Sequence, residues 1–206
     1  MILKWRTAGQ ACTHAKRVYV QTGVHDKFLR MIVNATKQLK VGHGVSPGTS
    51  MGPLTTSRGL EKLERHIADA LAKGGRLELG GHRLQLEGNY FQPTTISGMS
   101  ADMLTTHEEI FGPLLGLYRF ETEEEAVRMA NDTSMGLALY FFTRDVSRAW
   151  RLLENLEAAM IGMNTGEQFA SGGVKGYGKE AGKDVAIEEY LIAKTGTLTV
   201  GTVSKL

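Results

Sequence analysis

Cys12 is the one cysteine in a chain of 206 residues, and it closes the tetrapeptide Gly9-Gln10-Ala11-Cys12. A thiol becomes a nucleophile when it is exposed, oriented and stabilised as the thiolate. The glycine permits a tight backbone, and the N–H groups around such a turn can receive an oxyanion. Alone, the tetrapeptide describes an inert, packed thiol as readily as a reactive one, so its neighbours must decide. A lone cysteine cannot close an internal disulfide, which points to a reducing compartment. No cluster of His, Cys and acidic residues has metal-ligand spacing, so no metal is expected.

Such a thiol needs rigid elements around it, and the chain supplies alternating ones. Arg17–Gln21 reads as a short strand. Residues 25–39 carry Phe28, Leu29, Ile32, Val33, Ala35 and Leu39 at helical spacing. Residues 41–53 form a Gly/Pro/Ser loop. Residues 56–73 are helical again, with Leu60, Leu63, Ile67, Ala70 and Leu71 on one face and Gly74-Gly75 as a stop. Strands are expected at 76–79, 114–120, 137–143 (buried) and 160–163, and 90–97 reads as extended. Helices are expected at 121–131, whose Glu-rich first turn suits the helix dipole, and at 145–156. Residues 188–191 give a short piece and 195–203 a last strand. Strands alternating with helices predict an α/β fold with an open, mostly parallel sheet and flanking helices. We place a catalytic domain over 1–192 and an oligomerisation strand with a tail over 193–206.

The formal net charge is +2 with no basic stripe among aromatics, which argues against nucleic-acid binding. No apolar run is long enough to span a membrane, and the start, Met1 to Arg6, lacks the apolar region of a signal peptide.

The segment Trp5-Arg6-Thr7-Ala8-Gly9-Gln10-Ala11-Cys12 resembles the cysteine signature of aldehyde dehydrogenases. His107-Glu108-Glu109-Ile110-Phe111-Gly112-Pro113 resembles the family's Glu-Glu-x-Phe-Gly-Pro motif. Gly52-Pro53-Leu54, Gln92-Pro93-Thr94 and Asn131 with Gly136-Leu137-Ala138 match further turns. Gly172-Gly173-Val174-Lys175, Gly178-Lys179-Glu180 and Glu189-Tyr190 match the C-terminal signature. The matches fall in family order over nearly the whole chain.

The resemblance implies a fold and a reaction. Cys12 corresponds to the residue that attacks an aldehyde to give a thiohemiacetal; hydride then passes to NAD or NADP and water releases the acid. Glu109 and Phe111 correspond to positions that hold the nicotinamide and its ribose, and Glu180 to a Glu that assists proton movement. Arg6, six residues before the cysteine, resembles the succinate-semialdehyde dehydrogenases, in which it meets the distal carboxylate. A guanidinium is the natural bidentate partner of that group. His14 stands where some members carry a second, redox-regulatory cysteine, so no disulfide switch is expected.

The departures carry information too. The family usually has Asn at Thr7. The loop before Gly172 is about four residues short of the family pattern, with Ala170-Ser171 where Pro-Phe is usual. In the family the dinucleotide-binding domain, the general-base Glu and the oxyanion-stabilising Asn precede the cysteine, and eleven residues precede it here. No Gly-x-Gly-x-x-Gly with a following acid replaces that domain. The expectation is therefore a chain incomplete for the full reaction, whose partners are a small aldehyde and a second copy or a full-length dehydrogenase. The alternatives are a non-catalytic partner subunit and a weak thiol esterase. The terminal Ser204-Lys205-Leu206 matches a peroxisomal address.

Overall fold

A computed structural model of the chain describes residues 2–165 and 195–198. The chain divides into two compact units, Met1–Ala126 and Val127–Leu206. The division falls inside the region assigned above to one catalytic domain.

The first unit holds α1 (Ile2–Trp5), β1 (Arg17–Gln21), α2 (Thr22–Lys37), α3 (Ser57–Ala72), β2 (Arg76–Leu79), β3 (Thr94–Ser97), α4 (Leu104–His107) and β4 (Leu114–Phe120). Its four strands form one sheet in the order β1-β4-β3-β2. β4 lies between β1 and β3 and runs parallel to both, while β2 pairs antiparallel with β3. The apolar run Leu114 to Tyr118 is buried at every position, as a central parallel strand covered on both faces must be. Trp5, Val20, Leu115 and Leu117 form a core cluster, and Leu29 and Ile32 of α2 pack onto it.

α3 shows how the sequence fixes a helix. Thr56 caps it, its side chain accepting a bond from the Gly59 N–H at 3.3 Å. Leu60, Leu63, His66, Ile67 and Ala70 line the buried face. Gly74 ends it at φ +90, and the Gly75 N–H folds back onto the Ala70 carbonyl at 2.8 Å. His66 thus occupies the buried stripe, while Leu71, expected on that face, is 41% exposed.

α1 and α4 were not foreseen. Each is a single turn of four residues, too short to display a period. α4 is tied down instead by side chains: the Leu104 N–H donates to Asp69 Oδ2 at 2.7 Å, and Thr106 Oγ1 lies 2.9 Å from the Tyr118 hydroxyl.

The second unit continues α5 (Glu123–Asn131) into β5 (Ala138–Phe141), α6 (Val146–Asn155), β6 (Met160–Met163) and β7 (Thr195–Leu198). Its strands are parallel in the order β5-β6-β7. β6 is buried throughout, but β5, expected to be buried, is only half-buried at all four positions. β7, expected to pair with another domain or subunit, lies along β6 of its own chain. Leu156, Ala158, Ile161 and Met163 form the core, with Leu152 and Leu153 of α6 against it.

No described helix is long and apolar enough to cross a membrane. The expected mostly parallel α/β architecture is present, divided between two hydrogen-bonded sheets.

Candidate active site

The cysteine sits in the turn between α1 and β1, and the backbone there is unusual. Thr7 and Ala8 adopt φ of 51 and 54, followed by Gly9 at 73. Three successive left-handed residues are rare in L-polypeptides, and a β-branched residue among them is strained. Asn tolerates this conformation better than Thr, so the geometry explains why the family resemblance expects Asn at Thr7. The turn presents Cys12 with its side chain exposed and free of any disulfide.

Gln10 anchors the turn. Its Nε2 donates to the Thr7 carbonyl at 3.1 Å and to the Pro53 carbonyl at 3.2 Å. Its Oε1 accepts from both the N–H and the hydroxyl of Thr55 at 2.9 Å. One amide thereby fixes the cysteine turn to the Gly52-Pro53-Leu54 turn, two motifs 43 residues apart.

The Glu109–Phe111 motif is brought to the same place. Phe111 is 46% exposed and sits at φ 51, and Glu109 is exposed beside the buried Ile110. Gly112 is the contact point: a Cβ on Gly9 would lie 2.2 Å from the Gly112 carbonyl oxygen. Only a hydrogen at Gly9 allows the two backbones to approach this closely, while a Cβ on Gly112 would instead crowd the Leu63 side chain at 3.1 Å. Glu108 is held by Arg65 of α3 and lies 3.5 Å from the buried His66 Nε2.

Basic groups gather around the turn. Lys4 is buried at 5% exposure, and burial, with Lys16 nearby, takes its ammonium down to about 7. Burial also lowers His14, with Lys4 and Arg6 adding to it. Arg6 itself is exposed.

The structure therefore joins Cys12, Arg6, Glu109 and Phe111 within one compact unit. Glu180, the C-terminal glycine signature and Ser204-Lys205-Leu206 lie outside the described residues. Gln10, Lys4, Lys16 and Glu108 escaped the sequence reading as parts of the site. Gln10 was visible as a motif letter, but its partners at Pro53 and Thr55 are remote in sequence.

The Aldehyde dehydrogenase family model matches residues 2–195. The chain belongs to the aldehyde dehydrogenase family. It is 44% identical to a 3-sulfolactaldehyde dehydrogenase of Pseudomonas putida over 94% of its own length and 41% of that protein's. The crystal structure of succinate-semialdehyde dehydrogenase from Burkholderia pseudomallei superimposes with a TM-score of 0.82 at 45% identity, over 84% of this chain and 36% of that one. A betaine aldehyde dehydrogenase of Staphylococcus aureus, solved in complex with NAD+, gives 0.79 at 33% identity over 83% and 35%. The chain thus spans 35–41% of the length of these relatives.

Proposed function

We propose that this chain is the cysteine-bearing part of an NAD(P)-dependent aldehyde dehydrogenase for an aldehyde with a distal anion, succinate semialdehyde first. The observation that carries the reading is the packing of Gly9 on the Gly112 carbonyl, which brings the nucleophile turn against the Glu109–Phe111 motif. Two relatives support the substrate class by name, since a sulfolactaldehyde and a succinate semialdehyde each pair an aldehyde with an acidic group. The Arg6 guanidinium suits such an end group, carboxylate or sulfonate alike.

In this reading the Cys12 thiolate attacks the aldehyde carbon, the carbonyl π pair moves to oxygen, and a thiohemiacetal forms. Backbone N–H groups around such a tight turn can receive the oxyanion that develops. Gln10 keeps the sulfur in position by holding both sides of the turn. A nicotinamide, when bound, supplies the hydride acceptor. The residues present fit its ring end: an exposed aromatic at Phe111 and a carboxylate at Glu109, set on a backbone that contacts the cysteine turn. Arg6 orients the substrate by its far end, so that binding energy remote from the reacting carbon serves alignment.

The test is alkylation. Cys12 in the folded chain should react with iodoacetamide at least about tenfold faster than in the urea-unfolded chain, as an activated thiolate does. Cys12→Ala should take up no label. A folded rate no greater than the unfolded rate would rule out an activated nucleophile. Substrate class is read in the same assay. Succinate semialdehyde should protect Cys12 better than butanal, and Arg6→Ala should remove that advantage, a loss of roughly tenfold or more for a charge-assisted pair. Equal protection by the two aldehydes in the wild-type chain would sink the assignment of Arg6.

A further inference from the structure

We propose that Lys16 is a positioning residue that sets the direction of Glu109 and Phe111 by clamping the peptide planes before them. Lys16 stands four residues after Cys12, where the turn enters β1. Its Nζ donates to the Glu108 carbonyl at 3.1 Å and to the Thr106 carbonyl at 3.3 Å. The Glu108 carbonyl shares its peptide plane with the Glu109 N–H. Fixing that oxygen therefore fixes the plane from which Glu109 departs. The Thr106 carbonyl belongs to the last turn of α4, so one ammonium grips both ends of the step from helix to motif. These are charge-assisted bonds, the strong kind.

Three further observations converge on this junction. The Glu108 carboxylate is tied to Arg65, which holds the other side of the same residue. Phe111 needs external support, because a bulky residue at positive φ persists only where its surroundings over-determine it. Burial lowers the Lys16 ammonium to about 8, Arg17 adds to this, and Glu109 is the strongest of the charges acting the other way. Lys16 thus responds to Glu109 electrostatically while it binds the backbone beside it. The clamp also couples the two halves of the site, since Lys16 ends the cysteine turn and directly precedes β1.

The inference rests on Glu109 and Phe111 being the nicotinamide-contacting residues, but its test needs no cofactor. Amide hydrogen exchange is followed by mass spectrometry on the whole 206-residue chain and its variants. In Lys16→Met, which keeps the apolar stem, exchange over residues 104–113 should accelerate by about tenfold or more, the worth of at least one of the two charged bonds. Peptides of α2 should keep wild-type protection. Lys16→Arg, whose guanidinium can reach both carbonyls, should restore most of the protection. Unchanged exchange over 104–113 in Lys16→Met overturns the proposal. So does acceleration spread equally over α2, or failure of Lys16→Arg to rescue. If the exchange result holds while Cys12 alkylates no faster than in the unfolded chain, the clamp stands and the dehydrogenase reading falls.

Discussion

Gly9→Ala is expected to destroy the candidate site and to destabilise the first unit by about 2–5 kcal/mol. Two separate effects add. Gly9 has φ +73, where an L side chain is penalised by about 1–2 kcal/mol. The added methyl would also meet the Gly112 oxygen at 2.2 Å and the Gly112 carbon at 2.6 Å, distances that real contacts do not show. The obstacle is backbone rather than a flexible side chain, so the relief is a shift of one turn away from the other. That shift separates the cysteine turn from the Phe111 motif. The variant should therefore lose stability in a urea melt and lose the rapid alkylation of Cys12 together. Gly23→Ala is the control. It lies in α2 with nothing within 4 Å of a new Cβ, and helix propensity alone should make it neutral or slightly more stable, by up to about 1 kcal/mol. A Gly9→Ala chain as stable as Gly23→Ala, with Cys12 still fast, would show that the two turns are not in contact.

How much of this was legible in the sequence follows from what each level of structure depends on. Elements set by local period and caps could be read directly: β1, β2, β4 and β6 fall where expected, and α3 and α6 begin at the capping residues Thr56 and Asp145. β3 is shorter than the extended reading of 90–97, because only Thr94–Ser97 pairs with the neighbouring strands β2 and β4. The single turns α1 and α4 were invisible because tertiary bonds, not propensity, hold them. The site divides the same way. Cys12, Arg6, Glu109 and Phe111 could be named from motif resemblance, which encodes identity and order. The groups that bring them together could not. Gln10 reaches Pro53 and Thr55, and Lys16 reaches residues about 90 positions away. A lysine followed by arginine at a strand start reads as a solvated edge until the fold places two carbonyls in front of it. The left-handed run Thr7-Ala8-Gly9 was half legible, since the glycine gave notice of it and the threonine argued against it.

His66 supplies the other large expected effect: the first unit should lose about 3 kcal/mol of stability between pH 6.5 and pH 4 through this one side chain. His66 lies on the buried face of α3 with no exposed surface, and neither ring nitrogen has a hydrogen-bond partner among the described residues. Burial takes it from 6.5 down to about 4; Glu108 opposes the shift, and Lys62, Arg65 and Lys16 reinforce it. The folded pKa lies below the unfolded one, so the stabilisation is complete above pH 6.5. As the pH falls from there, the unfolded chain takes up a proton that the folded chain refuses, and the stabilisation is lost progressively down to about pH 4. The measurement is a set of urea midpoints from pH 7.5 to 4.5 for wild type and His66→Leu, which keeps bulk but cannot titrate. Asp69 and Glu64 have lowered pKa values of their own; their contributions fade at lower pH and are common to both proteins, so the difference between the two curves isolates His66. That difference should grow by roughly 2–3 kcal/mol in favour of the variant as the pH drops. Parallel curves would mean that His66 is charged or solvated in the folded chain. Because Glu108 lies 3.5 Å from His66 and directly precedes Glu109, a protonated ring would draw that carboxylate away from Arg65. Acid should then loosen the Glu109–Phe111 segment before the sheet itself unfolds.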